Sequence, residues 1–159
     1  MRWAPVLLLT LVACNDLREF RGDWRGHRVG DVTPLYAGIG SGAVEAELSI
    51  DTIDGHGLAA RLSIDGLLPE TSITSLAGAE ADVLAGLTFA GSPLRVYLAF
   101  AAMPGSLGEA LVIVALYDDR RVEVRILRGG SSPLYGIFAL TDTNAVPTRF
   151  HRVQVQVPP

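Results

Sequence analysis

Cys14 is the one thiol in a chain of 159 residues. A thiol can be acylated, can ligate a metal or can pair with another thiol, and with no second cysteine no disulfide forms within the chain. The three histidines, His27, His56 and His151, lie far apart and show no metal-ligand spacing with each other or with Cys14, so no zinc site is read. In DTIDGHG (51–57) two aspartates stand near glycines but fall short of the ligand count of a calcium loop; turn chemistry accounts for them. GIGSG at 38–42 is not a phosphate loop, and the chain contains no lysine to complete one. There is no G-x-S-x-G elbow, and Asp118-Asp119-Arg120-Arg121 reads as a charged hairpin tip. These residues point to neither an enzyme nor a metal or other cofactor.

The apolar segment before Cys14 supplies a context for the thiol. Arg2 and the amino terminus precede a short apolar run, Trp3 to Leu11, about the length of a secretory core and too short to span a bilayer. The run ends Leu11-Val12-Ala13-Cys14. This resembles the lipobox of bacterial lipoproteins: an aliphatic residue, a variable one, a small one, then cysteine. The resemblance implies a diacylglyceryl group on the Cys14 sulfur, cleavage of residues 1–13 as signal peptide, and acylation, usually with palmitate, of the new amino terminus. Two or more acyl chains hold a protein stably on a membrane where one does not. Asn15, in place of the aspartate of the inner-membrane retention rule, favours the outer membrane, although Asp16 follows it. Residues 14–19 read as a short lipid-anchored tether, at most about 20 Å long if extended, and 20–159 as one domain.

Composition bounds that domain. The formal net charge is −4, the chain is 49% hydrophobic and 19% charged, and all its basic residues are scattered arginines. Disorder is thereby excluded, and no basic footprint for nucleic acid exists. Seventeen glycines and nine prolines punctuate short apolar runs, the pattern of an all-β chain.

The runs alternate. In AVEAELSID (43–51), Val44, Ala46, Leu48 and Ile50 share one face; in LAARLSID (58–65), Leu58, Ala60, Leu62 and Ile64 do. Period two with one wet face predicts half-buried antiparallel strands. A three-residue loop Ile53-Asp54-Gly55 would set Glu47 opposite Arg61. Further strands are expected near Ser72–Ala77, Asp82–Phe89, Leu94–Ala101, Ala110–Tyr117, Val122–Arg128 and Leu134–Thr141, with an edge strand in the tail at Val153, Val155 and Val157. An antiparallel up-and-down meander barrel of about eight or nine strands follows, with a β-sandwich as the alternative. The inward set is read as Ala46, Leu48, Ala60, Leu62, Val96, Leu98 and Phe100. LVIVALY (111–117) and LYGIFAL (134–140) are apolar on both faces, so the tail or a partner is expected to cover them. Glu45, Glu47, Asp51, Arg61, Glu123 and Arg125 on outward positions argue against a membrane-spanning barrel.

The strand expected first, FRGDWRG (20–26), places Phe20, Gly22, Trp24 and Gly26 on one parity and Arg21, Asp23 and Arg25 on the other. Gly22 and Trp24 resemble the G-x-W signature of the first strand of lipocalins and the wider calycin group, which includes avidin-like proteins. The resemblance implies an eight-stranded barrel closed at one end by the tryptophan, often covered by an arginine from the last strand. Arg128 is the candidate for that arginine, with Arg149 and Arg152 as alternatives. Phe20, Gly22, Trp24 and Arg128 are thus the barrel-end candidates. Two functional readings stand: an anchored barrel that holds a small apolar ligand, and a structural or interaction lipoprotein with a solid barrel and a protein partner in the envelope.

Overall fold

A computed structural model describes residues 16–29, 44–76, 89, 91–105, 107–129 and 134–143. A single 3-10 turn, Leu17–Phe20, leads into eight strands: β1 Gly22–Arg28, β2 Glu45–Ile53, β3 Leu58–Ile64, β4 Leu68–Thr74, β5 Arg95–Ala102, β6 Glu109–Leu116, β7 Arg121–Arg128 and β8 Leu134–Asp142. All neighbours are antiparallel, in the order β4-β3-β2-β1-β8-β7-β6-β5. The chain therefore runs up and down around a ring, and β1 joins the two four-stranded halves by pairing with both β2 and β8. The ring nearly closes between β4 and β5. There Ser75 bridges Ala99, and the Leu76 N–H donates to the Leu98 carbonyl at 2.7 Å. The expected meander barrel is the architecture found; of the expected strand Asp82–Phe89 only Phe89 is described, outside any strand, and the tail strand at 153–157 lies outside the described residues.

Alternation sets the inner face where one face is polar. Trp24, Ala46, Leu48, Ile50, Ala60, Leu62 and Ile64 all point into the core and are buried. Gly26 shares this parity for a steric reason. A Cβ there would lie 2.8 Å from the Leu140 Cα and closer still to the Ala139 carbonyl oxygen, so the backbone of β8 occupies the space a side chain would need.

Several expectations give way. The β2–β3 connection is the four-residue loop Asp54–Gly57, and an irregularity at Asp51 shifts the register between Ile50 and Thr52. Arg61 consequently faces Ser49, and Glu47 faces Ser63. The bulge supplies the odd residue that parity had demanded of the loop. β4 begins at Leu68, ahead of the expected Ser72, and includes Pro69, which a strand at the sheet margin tolerates. In β5 the inward residues are Tyr97, Ala99 and Ala101; Phe100 is 47% exposed and Val96 half-buried, while Leu98 is buried on the outer side against Ile113. Both faces of that strand are apolar, so its sequence carries no period from which to choose.

On the outer face of β7 one described residue from between β4 and β5, Phe89, is in contact with the strand. Phe89 lies over the Arg125 guanidinium at 4.4 Å. Ile113, Ala115, Glu123 and Arg125 on this outer face are all buried, so the run 111–117 is apolar on both faces because both are dry.

Candidate functional site

Three regions carry the polar chemistry of the described residues: the barrel end beneath Trp24, the outer face of β1–β4, and the covered outer face of β7.

At the first, Phe20, Gly22 and Trp24 come together as expected residues of one barrel end, but by a different route. Phe20 is not on the strand. It closes the 3-10 turn, is 5% exposed, and stacks on Trp24 with ring centroids 5.7 Å apart. The Trp24 indole N–H donates to the Phe20 carbonyl at 2.9 Å, so the ring's one polar group is satisfied inside an apolar site. Gly22 separates turn from strand at φ +117, a conformation that glycine adopts without the Cβ penalty. Asp16 caps the turn: its carboxylate accepts from the Arg18 N–H at 3.0 Å. Leu17–Glu19, read from sequence as tether, are thus part of the folded end.

Arg128 ends β7 opposite Leu134, whereas Trp24 lies opposite Asp142 at the other end of β8. Arg128 therefore sits at the far barrel end and does not cover Trp24; Arg149 and Arg152 lie outside the described residues. The arginine at the Trp24 end is Arg120. Its guanidinium meets the Asp142 carboxylate at 2.8 Å and the Glu19 carbonyl at 3.4 Å, so it clasps the 3-10 turn to the end of β8. Arg120 is also the one described non-glycine residue at positive φ, +57. That conformation costs an L-residue roughly 1 kcal/mol where glycine is free, and the clasp is what the arginine gives in return. The DDRR tip holds Arg120 in plain view, but nothing in its sequence distinguishes the clasping arginine from Arg121.

The outer face of β1–β4 bears a groove of about 450 Å³ among Asp23, Arg25, Glu47, Arg61, Ser63 and Glu70. Its charges are internally matched. Arg25 contacts Glu47 and Glu45, the latter at 3.1 Å. The Ser49 hydroxyl donates to Asp23 at 2.7 Å and accepts from Arg61 at 3.1 Å, and Arg61 reaches Asp51 at 3.3 Å. These pairs are solvent-exposed and individually weak. Together they keep this face wet.

On β7, the Arg125 Nε donates to Glu123 at 2.6 Å, and both side chains are about 95% buried. The Tyr117 hydroxyl also reaches Glu123 at 3.4 Å, and Arg121 lies over the Tyr117 ring at 4.0 Å. Burial, and then the neighbouring Glu123 carboxylate, raise the Tyr117 phenol above its ordinary value. Sequence alternation assigns Glu123 and Arg125 to a wet outer face; in the structure that face is dry at both residues, with Phe89 against the Arg125 guanidinium.

The histidines stay dispersed: His27 is exposed on the outer side of β1 and His56 exposed in the β2–β3 loop, while His151 lies outside the described residues. Among the described residues no three His, Cys, Asp or Glu side chains gather as metal ligands. Asp54 instead shapes its loop, accepting from the His56 and Gly57 N–H groups at 2.7 and 2.8 Å. Those two bonds hold its carboxyl below the usual carboxylate range. Arg95 donates to the Gly55 carbonyl and Tyr97 to the Asp54 carbonyl at 2.6 Å, tying the loop to β5.

Among the described residues the side chains that point into the ring are buried. Ala46, Leu62, Ala101, Ala110, Val112, Val114, Val122, Val124, Ile126 and Leu140 are 0% exposed, and Trp24, Tyr97 and Phe138 are 2% exposed. Comparison with known proteins finds no matching family model, no matching curated protein and no matching solved structure. The class defined here is an eight-stranded antiparallel up-and-down β-barrel, consistent with a calycin-like barrel.

Proposed function

We propose that this chain is a lipid-anchored lipoprotein of the bacterial envelope, held by diacylglyceryl and palmitoyl groups on Cys14 and sited at the outer membrane. Its barrel serves as a solid scaffold for contact with an envelope protein. The observation that carries the choice between the two functional readings is the burial of the inward side chains. Large rings from β1, β5 and β8 and aliphatic side chains from the other strands are almost without accessible area among the described residues. An eight-stranded barrel either fills with side chains or holds one small ligand, and these side chains support the first alternative. The polar outer face of β1–β4 supports a domain bathed in water rather than one embedded in lipid.

The test is native mass spectrometry of the Cys14→Ala protein purified without detergent. The bare polypeptide mass is expected. A stoichiometric co-purified apolar molecule, lost on denaturation, would overturn the solid-scaffold reading and restore the ligand-binding one.

A further inference from the structure

We infer that the barrel stands end-on to the membrane, with the Trp24 end against the lipid surface and the opposite end turned away. The inference rests on the lipoprotein reading above and adds an orientation to it. Cys14 and Asp16 are two residues apart in sequence, a span of at most about 7 Å. From Asp16 onward the chain is fixed to the barrel. Asp16 takes the Arg18 N–H on its carboxylate and the Glu19 N–H on its carbonyl, each at 3.0 Å. Phe20 is stacked on Trp24, and Arg120 grips the Glu19 carbonyl and Asp142. An acylated Cys14 would then have no swinging arm, so the end that receives it must lie at the headgroups.

Strand register identifies what shares that end. Trp24 lies opposite Asp142, and Arg121 opposite Thr141. The 118–120 turn and the 142–143 end of β8 therefore flank the 3-10 turn, and the 54–57 loop follows the paired end of β2. The 65–67 turn and the 103–108 loop occupy the opposite end, where Leu107 is 43% exposed. Eight-residue strands rising ~3.3 Å per residue and tilted ~40° separate the two ends by roughly 20 Å.

The charges at the Trp24 end are mixed. Asp16, Asp54, Asp118 and Asp119 stand with Arg18, Arg21 and Arg120, and Arg120 already meets Asp142. A polybasic surface would draw the domain to anionic lipid; the described residues of this end supply no such excess. The acyl groups alone provide the grip, and salt or anionic lipid should leave membrane association unchanged.

The test uses full-length lipidated protein in phosphatidylcholine vesicles carrying a headgroup energy acceptor. Thioether formation blocks Cys14, so a cysteine introduced by Asp118→Cys or Leu107→Cys is the single site for a donor dye. Transfer from position 118 is expected to exceed that from 107 by roughly twofold or more, given the ~20 Å offset. A ten-residue Gly-Ser insertion after Asn15 should abolish the difference. Equal or reversed transfer in protein whose Cys14 lipid is verified by mass would overturn the orientation while leaving the anchor intact. Protein that carries no lipid at all would remove the lipoprotein reading and the orientation with it.

Discussion

Gly26 is the residue whose replacement tests the barrel most severely. Placing alanine in a strand in place of glycine ordinarily stabilises by about 0.4–1 kcal/mol, because the unfolded chain loses freedom. At position 26 the sign should reverse. The new Cβ would fall 2.8 Å from both the Ala139 carbonyl carbon and the Leu140 Cα, and these are backbone atoms that cannot rotate away. They belong to the β1–β8 ladder, which joins the two halves of the sheet. Relief requires β1 and β8 to separate, at the upper end of the ~1–3 kcal/mol range for overpacking or beyond it. For a domain of this size 1 kcal/mol moves Tm by about 3–5 °C, so Gly26→Ala should lower Tm by about 10 °C or more. Gly136→Ala is the internal comparison. Its Cβ would meet side-chain atoms of Phe138 at 3.0 and 3.4 Å, which can shift, so a smaller loss is expected. Thermal melts followed by circular dichroism measure both. A Gly26→Ala protein that melts within 2 °C of wild type, on the ~3–5 °C per kcal/mol scale, would refute the close approach of β8 to β1.

Two further predictions concern the covered face of β7. Glu123→Ala leaves the Arg125 guanidinium buried without its carboxylate and should cost about 3–5 kcal/mol in urea denaturation, whereas Glu123→Leu combined with Arg125→Met should recover most of it; a single variant within about 1 kcal/mol of wild type would place the pair in solvent. The Tyr117 phenol should titrate above its ordinary 10.0, read as the difference in phenolate absorbance between wild type and Tyr117→Phe. Because the fold disfavours the phenolate, the stability this group contributes is complete below about pH 10 and is lost as pH rises through the raised folded value. A midpoint at or below the ordinary one would mean that Tyr117 is neither buried nor beside Glu123.

The wet side of the barrel was legible in the sequence, and the dry side was not. β1, β2 and β3 each alternate apolar with charged residues, so Trp24, Leu48 and Leu62 declare their direction. Where both faces are apolar, as in β5 and β6, alternation is silent, and Phe100 was assigned inward although it stands 47% exposed. Register failed for a local reason: the bulge at Asp51 leaves no composition signal, and it moved Arg61 from Glu47 to Ser49. The barrel end shows a mixed outcome. The spacing of Phe20, Gly22 and Trp24 suggested one strand, yet Phe20 reaches the same place from a 3-10 turn through a stacking contact. Arg120 escaped notice because its role depends on a positive φ and on partners 22 and 101 residues away. Glu123 and Arg125 read as surface charges because nothing in a strand's own pattern reports a distant residue such as Phe89 packed against it.

The account as a whole turns on Cys14, and one measurement addresses it directly. Bacteria expressing the full chain are grown with an alkyne-bearing palmitate, and the wild-type protein is compared with Cys14→Ala after click labelling and membrane fractionation. The account predicts strong labelling of the wild type in the outer-membrane fraction and none of the variant. Equal labelling of both proteins, or an unlabelled wild type, would contradict it.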